Sequence, residues 1–600
     1  MSIYPPSKEN QSSDRLKLLY LCIAILFFVV VLRLWYIQIF KGEFYSKLSK
    51  KNRIRFEQIY APRGIILDRK GRIVAENLPA YAVAIVREDC KRNKACNASI
   101  ARLCKILKID FDSLKKRFDK DKKRVKPFDP LVLIRNISFN LLCKIETHLS
   151  LLPGIVIIPY PRRFYPYGMV GAHVIGYVGE PTKKDLQVDP SLTPGDVVGK
   201  SGVELEFDHM LRGRKGEKQV EVNAQGRTLK EKILKEPRCG KTIYLTLDME
   251  LERFIFERMG KERGACIVMD PEEGGVIALV SKPSYDSNQL SQGLSTRQWQ
   301  LLLHNPGHPL QDRAVSSCYP PGSVFKLVVA GCGLLHIKGL PRRKVFCPGY
   351  YRLGNRIFRC WKKTGHGWMD LKEAIKQSCD VYFYKLGEEL GIDEISSCAR
   401  ACGFGEKTHI KLPLENSCLI PDRKWKMKRF HEPWQGGETL NTAIGQGFVL
   451  VSPIQVARFI CALVNGGKIY LPRILLNERP TIEGELPFTC KDLSIIKKAM
   501  IAAVRERHGT ANIINIPGLI IGAKTGTAQV ITLRSDEERD KDISEIPYRY
   551  RDHAWMASFG SNGKKTYVVV VLIEHGGHGA STAGPIVRDI YTYLFKKCIR

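Results

Sequence analysis

Acidic side chains are scarce in this chain of 600 residues: 61 Asp and Glu stand against 95 Lys and Arg, a formal charge of +34. An excess of that size suits an anionic partner, whether nucleic acid or a membrane or polymer surface. The basic residues are scattered through the whole length, however, and no zinc-finger array, basic zipper or aromatic RNA-binding signature accompanies them. Nucleic acid is therefore not expected as a partner. Internal repeats and long low-complexity tracts are also missing, which excludes a solenoid and a largely disordered chain.

Long apolar runs are missing too, with one exception. Leu18 to Leu32 is continuously apolar, and the run continues past Arg33 and Gln38 to Phe40, 23 residues in all. That length crosses about 30 Å of hydrocarbon. No small-residue cleavage site follows, so the segment reads as an uncleaved signal anchor. Arg15 and Lys17 precede it, whereas Lys41, Lys47, Lys50, Lys51 and Arg53 follow it. A plain count of these charges would leave the large domain in the cytoplasm, but large domains translocate despite such flanks. The 18 cysteines show no small disulfide-scaffold spacing, and their pairing stays open.

Past a basic, helix-like stalk ending near Arg55, Arg63 to Ala75 reads as a β-hairpin around an Asp-Arg-Lys-Gly turn. Residues 98–150 read as mostly helical. His173 has no second donor nearby and reads as a packed or hydrogen-bonded residue rather than a ligand. The character changes near Thr242. A strand from Thr242 to Asp248, a helix from Met249 to Met259 and a hairpin of Ala265–Asp270 with Gly275–Val280 predict a mixed α/β or α+β domain over the remaining length.

Within it, Tyr319-Pro320-Pro321-Gly322-Ser323-Val324-Phe325-Lys326 sets a serine three residues before a lysine, directly after a Pro-Pro-Gly turn. A helix starting there puts both on one face. A serine hydroxyl is a poor nucleophile until an adjacent base takes its proton, and a desolvated lysine can serve. The same spacing recurs at Ser113/Lys116 and Ser494/Lys497, both expected in helices, and at Ser561/Lys564, expected in a turn between the last strands. What lies downstream must decide among the four. Ser378-Cys379-Asp380 precedes the helical run Val381-Tyr382-Phe383-Tyr384, and Lys524-Thr525-Gly526-Thr527 continues an apolar strand from Leu519 that runs on to Val530. A second Lys-Thr-Gly at Lys363–Gly365 sits in a polar loop without a strand pattern.

Cys347, Cys360, His366 and Cys379 share one glycine-rich, aromatic region. Three thiolates and an imidazole could close a tetrahedral structural zinc site. Their spacing is wider than Cys-x-x-Cys, and a Cys347–Cys360 disulfide or plain buried thiols is the simpler alternative.

In this order, Ser-x-x-Lys, Ser-x-Asp and Lys-Thr-Gly are identified as the signature of the penicillin-recognising serine acyltransferases. Trp434–Asn441, Ile444–Gly447, Ser452–Gln455 and Asp552–Trp555 resemble the transpeptidase domain of that group. Arg63–Gly71, Arg163–Gly179 and Gly199–Gly216 resemble the pedestal of class B penicillin-binding proteins. Aspartate rather than asparagine at position 380 points to the elongation type, penicillin-binding protein 2, over the division type. The resemblance covers most of the chain and is weakest over residues 85–150.

The resemblance implies an α+β architecture: a cytoplasmic tail (1–17), a single transmembrane helix (18–40), an elongated β-rich pedestal of the dimerisation type (41–241) and a serine-β-lactamase-like transpeptidase domain, an antiparallel sheet flanked by helices (242–600). It implies a peptidoglycan D,D-transpeptidase of the inner membrane with a periplasmic body. Such an enzyme cross-links stem peptides, is inhibited by β-lactams and partners an elongation glycosyltransferase in the membrane. In these terms Ser323 is the nucleophile. Lys326, neutral beside a positive Lys524, is its base, and Ser378 relays a proton to the leaving amine. Asp380 either orients Lys326 or meets the acceptor amine. Lys524, Thr525, Gly526 and Thr527 bind the substrate carboxylate, and backbone N–H groups of Ser323 and Thr527 form the oxyanion hole. Acyl transfer needs no cofactor. The family's zinc site has a histidine and a cysteine at positions matching His366 and Cys379, with acidic ligands where this chain offers Cys360 and Cys347. The rival readings are a D,D-carboxypeptidase or β-lactam hydrolase, for which no supported Glu-x-x-x-Asn motif stands out, and a β-lactam sensor. The 17 residues before the span are too few for a sensor's output domain, and a dead scaffold is disfavoured by the intact Ser323, Lys326, Ser378 and Lys524.

Overall fold

The continuously apolar stretch near the N-terminus forms an α-helix, Glu9–Trp35, extended by a π-helical turn, Tyr36–Phe40. Leu16–Phe40 is long and apolar enough to cross a membrane, and its large side chains are exposed. The computed structural model describes residues 9–90, 93–122, 125, 127, 130–193, 195–222, 228–530 and 545–596, so the first eight residues of the expected tail lie outside the described residues.

The chain divides into two compact units. One comprises residues 1–61, 81–160 and 214–238. The expected basic stalk is the helix Gly42–Arg53, followed by the strand Ile54–Ile59, which pairs antiparallel with Gly216–Val222; that strand in turn pairs with Thr228–Lys235. The helices Asn93–Leu107, Phe111–Asp121 and Phe139–Thr147 realise most of the helical reading of 98–150. Leu131–Ile137 departs from it: this seven-residue run is a strand, paired with residues 81–85. A short apolar run carries no period that separates a buried strand from a helix, and here the partner strand decided. Val83, Ile85, Ile100, Leu103, Leu133 and Ile145 form the core, and a Cys90–Cys96 disulfide closes one edge.

The other unit comprises residues 62–80, 161–213 and 239–600. The expected first hairpin is present, with Ile66–Leu67 paired to residues 73–75 and Gly71 turning at positive φ. The strand read over Thr242–Asp248 shrinks to Ile243–Tyr244, which pairs parallel with Ile66–Leu67. His173 is buried, with its Nε2 2.9 Å from the Pro309 carbonyl, a structural histidine as expected.

The centre of this unit is a five-stranded antiparallel sheet in the order Val276–Lys282, Gly264–Met269, Thr566–Ile573, His553–Ser561, Ile520–Ala528. Its first two strands are the expected hairpin. Thr566–Ile573 is apolar on both faces, as a strand covered on both sides must be. Val568, Val570 and Leu572 pack in the core cluster that includes Phe459 and Ile460 of the helix Pro453–Val464. Val569, Val571 and Ile573 pack with Leu251, Ile255, Ile586 and Val587 of the helices Met249–Arg258 and Gly584–Leu594. Pro453 stands at the first position of its helix, where no N–H is needed, and Ser452 and Gln455 complete a capping box.

Cys318 and Cys418 form a disulfide. Next to it, Tyr319 bridges Val451 and Leu419 bridges Leu450. Replacing both cysteines by alanine opens a loop of 100 residues, and the expected loss is about 4–5 kcal/mol of stability. Chemical denaturation would show it as a lower midpoint; an unchanged midpoint would mean that the Tyr319 segment is held without the cross-link.

Candidate active site

The four Ser-x-x-Lys pairs end in different places. Ser113 lies in the helix Phe111–Asp121, Ser494 in Cys490–Arg505, and Ser561 is the last residue of a strand rather than part of the following turn. Ser323 lies in a 3-10 turn, Gly322–Val324, that leads into the helix Lys326–His336. Pro320 and Pro321 offer no N–H, and Pro321 already has right-handed helical angles, φ −75° and ψ −16°, as the turn begins. The first turn of the helix drives Lys326 into the interior, where it is fully buried, while Ser323 stays half-buried.

Ser378 sits between the helices Leu371–Lys376 and Asp380–Ala401 with φ of 56°, a left-handed conformation rare for a residue with a side chain. That conformation turns both of its oxygens toward Lys326. Lys326 Nζ donates to the Ser378 carbonyl at 2.9 Å and to its hydroxyl at 3.3 Å, and it pairs with Asp380 Oδ1 at 2.6 Å. From the sheet, Lys524 Nζ donates to the same Ser378 hydroxyl at 2.7 Å and to the Thr525 carbonyl at 3.0 Å. Ser323 itself is half-buried, three residues before Lys326 on the same turn.

Two fully buried lysines thus share one carboxylate and one hydroxyl. The charged form of Lys524 is disfavoured, first by burial and then by the positive charge of Lys326, with Asp380 opposing, and its pKa falls well below 10.5. Burial also raises the Asp380 carboxyl, against the pull of Lys326. The expected pairing of a neutral Lys326 with a positive Lys524 therefore needs revision: the amine that burial drives toward neutrality is Lys524, and Lys326 is the one ion-paired to Asp380.

Close backbone contacts hold the three segments together. Gly322 N–H donates to the Gly445 carbonyl at 2.9 Å, and Gln446 Nε2 donates to the Thr527 carbonyl at 3.1 Å. A Cβ on Gly445, where φ is 74°, would stand 2.1 Å from the Gly322 carbonyl oxygen, and one on Gly322 would stand 2.7 Å from the Thr527 oxygen. Gly526 is buried between Trp555 and Pro321, with Thr525 and Thr527 half-buried on either side. Trp361 was not legible as a site residue. Its backbone N–H donates to Asp380 Oδ2 at 2.8 Å, and its indole Nε1 donates to the Gln377 and Ser378 carbonyls, both at 3.1 Å. No motif marks it; its position directly after Cys360 was the one available signal.

The cysteine cluster stands beside this network. Cys347, Cys360 and Cys379 are free thiols, so the Cys347–Cys360 disulfide alternative falls away. The donor atoms of Cys347, Cys360, His366 and Cys379 all lie within 4.8 Å of one another. Cys347 Sγ and Cys360 Sγ each stand 3.5 Å from His366 Nδ1. A tetrahedral zinc with usual Zn–S and Zn–N bonds sets such edges at about 3.6 Å, so the four residues fit that group. Hydrogen bonds from the Cys360 and Cys379 thiols pull the Cys347 thiol below its usual range, while bonds from Cys347 and Cys360 push the Cys379 thiol above its own.

The depressed Lys524 amine has a thermodynamic consequence. Between its folded pKa and the unfolded value of 10.5, the unfolded chain binds more protons, so stability rises with pH through that window. Lys524→Met, which keeps the volume and removes the titration, is expected to flatten the slope in denaturation midpoints measured across the window. An unaltered slope would count against a neutral buried amine at this position.

Two family models match the chain. The penicillin binding protein transpeptidase domain matches residues 264–592, and the penicillin-binding protein dimerisation domain matches residues 58–245. The peptidoglycan D,D-transpeptidase MrdA of Haemophilus influenzae is 32% identical over 98% of this chain and 93% of the relative. Among solved structures, penicillin-binding protein 2 of Helicobacter pylori, in complex with MreC, superposes with a TM-score of 0.82 at 30% identity, covering 91% of this chain and 100% of that one. A chain from a peptidoglycan synthase complex that coordinates polymerization and crosslinking superposes with a TM-score of 0.69 at 28% identity, covering 96% and 98%. The transpeptidase model matches more than half of the chain, the nearly full-length relative exceeds 30% identity, and the motif segments meet at one site; the chain belongs to the class B penicillin-binding proteins, in their penicillin-binding protein 2 branch.

Proposed function

We propose that this protein is a peptidoglycan D,D-transpeptidase that cross-links stem peptides during elongation through an acyl-enzyme on Ser323, and that β-lactams inhibit it by acylating the same hydroxyl. The observation that carries the reading is the buried Lys326–Ser378–Lys524 chain with Asp380 on Lys326, assembled directly behind the turn of Ser323.

Ser323 Oγ attacks the carbonyl carbon between two D-alanines and its proton passes to Lys326. For Lys326 to accept it, its own proton moves through the Ser378 hydroxyl toward neutral Lys524, a path spanned by the 3.3 and 2.7 Å contacts. Asp380 holds Lys326 in line throughout. The C–N bond breaks, Ser378 returns a proton to the leaving amine, and the donor stem remains as an ester on Ser323. Charge on the former carbonyl oxygen is met by backbone N–H groups of Ser323 and Thr527, a device worth roughly 3–4 kcal/mol per donor. Lys524, Thr525 and Thr527 hold the terminal carboxylate, and Gly526 lets the strand pass close between Trp555 and Pro321 so that its neighbours face the site. An acceptor amine then attacks the ester, Ser323 Oγ leaves and recovers its proton, and a cross-link forms.

The molecule is read as a tail (1–17), a membrane helix (18–40), a pedestal (41–241) and a transpeptidase domain (242–600). It is a single-pass protein of the inner membrane with a cytoplasmic N-terminus and a periplasmic body. The Cys318–Cys418 disulfide supports an oxidising compartment for that body. A membrane glycosyltransferase of the elongation machinery is the expected partner, with the pedestal as its contact surface.

Acyl transfer requires no metal. Cys347, Cys360, His366 and Cys379 would hold a structural zinc, whose chemistry there is to fix four ligands in place. Cys379 lies between Ser378 and Asp380, and Cys360 precedes Trp361, whose N–H reaches Asp380. Pinning these two cysteines pins the Ser378–Asp380 pair from both sides.

Ser323→Ala is expected to reduce covalent labelling by fluorescent penicillin to background. Persistent labelling would remove Ser323 as nucleophile. Mass spectrometry of products from lipid-linked precursor, polymerised by the partner glycosyltransferase, should show cross-linked dimers; trimmed monomers alone would make the protein a D,D-carboxypeptidase. Elemental analysis should find about one zinc per chain, lost in Cys360→Ser together with a lower denaturation midpoint. Absence of stoichiometric zinc from the wild type would refute the metal assignment.

A further inference from the structure

The turn that carries Ser323 has an anchoring problem. Pro320 and Pro321 supply no N–H, so neither can donate a backbone tie. The ties come from the backbone of the flanking Tyr319 and Gly322 and from side chains outside the three motifs. Tyr319 exchanges backbone hydrogen bonds with Val451, at 2.9 and 2.8 Å. Its ring is buried edge-on against His553 and Trp555, and its hydroxyl donates to Glu574 Oε1 at 2.7 Å. The Trp555 indole donates to the Pro320 carbonyl at 3.0 Å. Glu574 directly follows the strand Thr566–Ile573, and Trp555 lies on His553–Ser561, so both ties end on central strands of the sheet.

Glu574 is itself braced. Arg313, with 2% of its side chain exposed, places Nε 3.0 Å from Glu574 Oε1. The rest of that guanidinium donates to the carbonyls of Gly307 at 2.9 Å, His308 at 3.2 Å and Gln311 at 3.5 Å. The Nε–Glu574 contact is an ion pair without a hydrogen bond, while both terminal nitrogens of the guanidinium are hydrogen-bonded to backbone carbonyls, which fixes its position behind Glu574. The carboxylate and the neighbouring burial both hold the Tyr319 phenol protonated, raising it far above its usual range, so the hydroxyl stays a donor.

We propose that Arg313, Glu574 and Tyr319 form a positioning relay that sets the rate of Ser323 acylation by fixing the nucleophile turn against the sheet that carries Thr527. None of the three touches the reacting atoms; they act through the placement of the Ser323 hydroxyl and its backbone N–H. Small displacements of such groups weaken attack and oxyanion stabilisation far more than substrate binding. The proposal rests on Ser323 being the acylated residue.

The test is stopped-flow acylation of the full-length protein in detergent by a fluorescent penicillin, comparing wild type, Tyr319→Phe and Glu574→Gln. Tyr319→Phe keeps the ring and removes one hydrogen bond to a charged group. The expected result is an acylation rate constant lowered about tenfold or more, with the pre-acylation dissociation constant changed less than about twofold and a full-amplitude burst. A purely structural role would lower the burst amplitude, the fraction of competent protein, and leave the rate constant of the remainder unchanged. That outcome, or a wild-type rate constant in both variants, overturns the relay. If Tyr319→Phe does not fold, Glu574→Gln reads the same constant, since it weakens the same acceptor without removing it. Failure of the underlying reading looks different: wild-type protein would not label, or Ser323→Ala would.

Discussion

The whole site depends on burying two lysines around one carboxylate. An ammonium taken out of water is costly unless it is paired, and two of them beside one Asp380 cannot both be fully compensated. The interior resolves this by disfavouring the charge on Lys524 while Lys326 stays paired with Asp380. Both amines reach the Ser378 hydroxyl, at 3.3 and 2.7 Å, so the burial that is costly to the fold also lines up the groups of the proposed proton path.

Everything around the cluster serves to bring three chain segments to one point. The Lys326 helix, the left-handed Ser378 and the Lys524 strand come from sequence positions far apart; glycines at 322 and 445 let the Ser323 turn, the Gly445 loop and the Thr527 strand approach to distances no side chain would permit, and the lysines reach Ser378 through their side chains. Trp361 closes the far side by donating to Asp380 and Ser378, so the cysteine cluster and the lysine cluster are joined through Trp361 as well as through Cys379 between Ser378 and Asp380. The Ser323 turn, whose two prolines donate nothing, is held by the backbone N–H groups of Tyr319 and Gly322 and by Trp555 and Glu574 on and beside the sheet.

Much of this was legible because the relevant signals are local. The hairpin of Ala265–Asp270 with Gly275–Val280 and the Met249 helix were announced by their patterns, and the three motifs each carry their residue types at short spacing. Leu131–Ile137 was misread because seven residues carry too little period, and Thr242–Asp248 was read too long because only Ile243 and Tyr244 find a strand to pair with. Trp361 and Gln446 escaped because they act through a backbone N–H and an amide reaching across the fold, contacts that no residue type advertises. Which lysine is driven neutral was also illegible, since it turns on burial and on one ion pair.

The sequence by itself determined the membrane helix, the order of the three motifs, the strands and helices that carry them, and the set of four donors at Cys347, Cys360, His366 and Cys379. These follow from hydrophobic pattern and short-range spacing. Tertiary structure alone decided which of four Ser-x-x-Lys pairs faces a second lysine, which cysteines pair and which stay free, and which amine bears the cost of burial. Those outcomes depend on distances between residues remote in the chain and on the water excluded around them, quantities that exist only once the chain is folded.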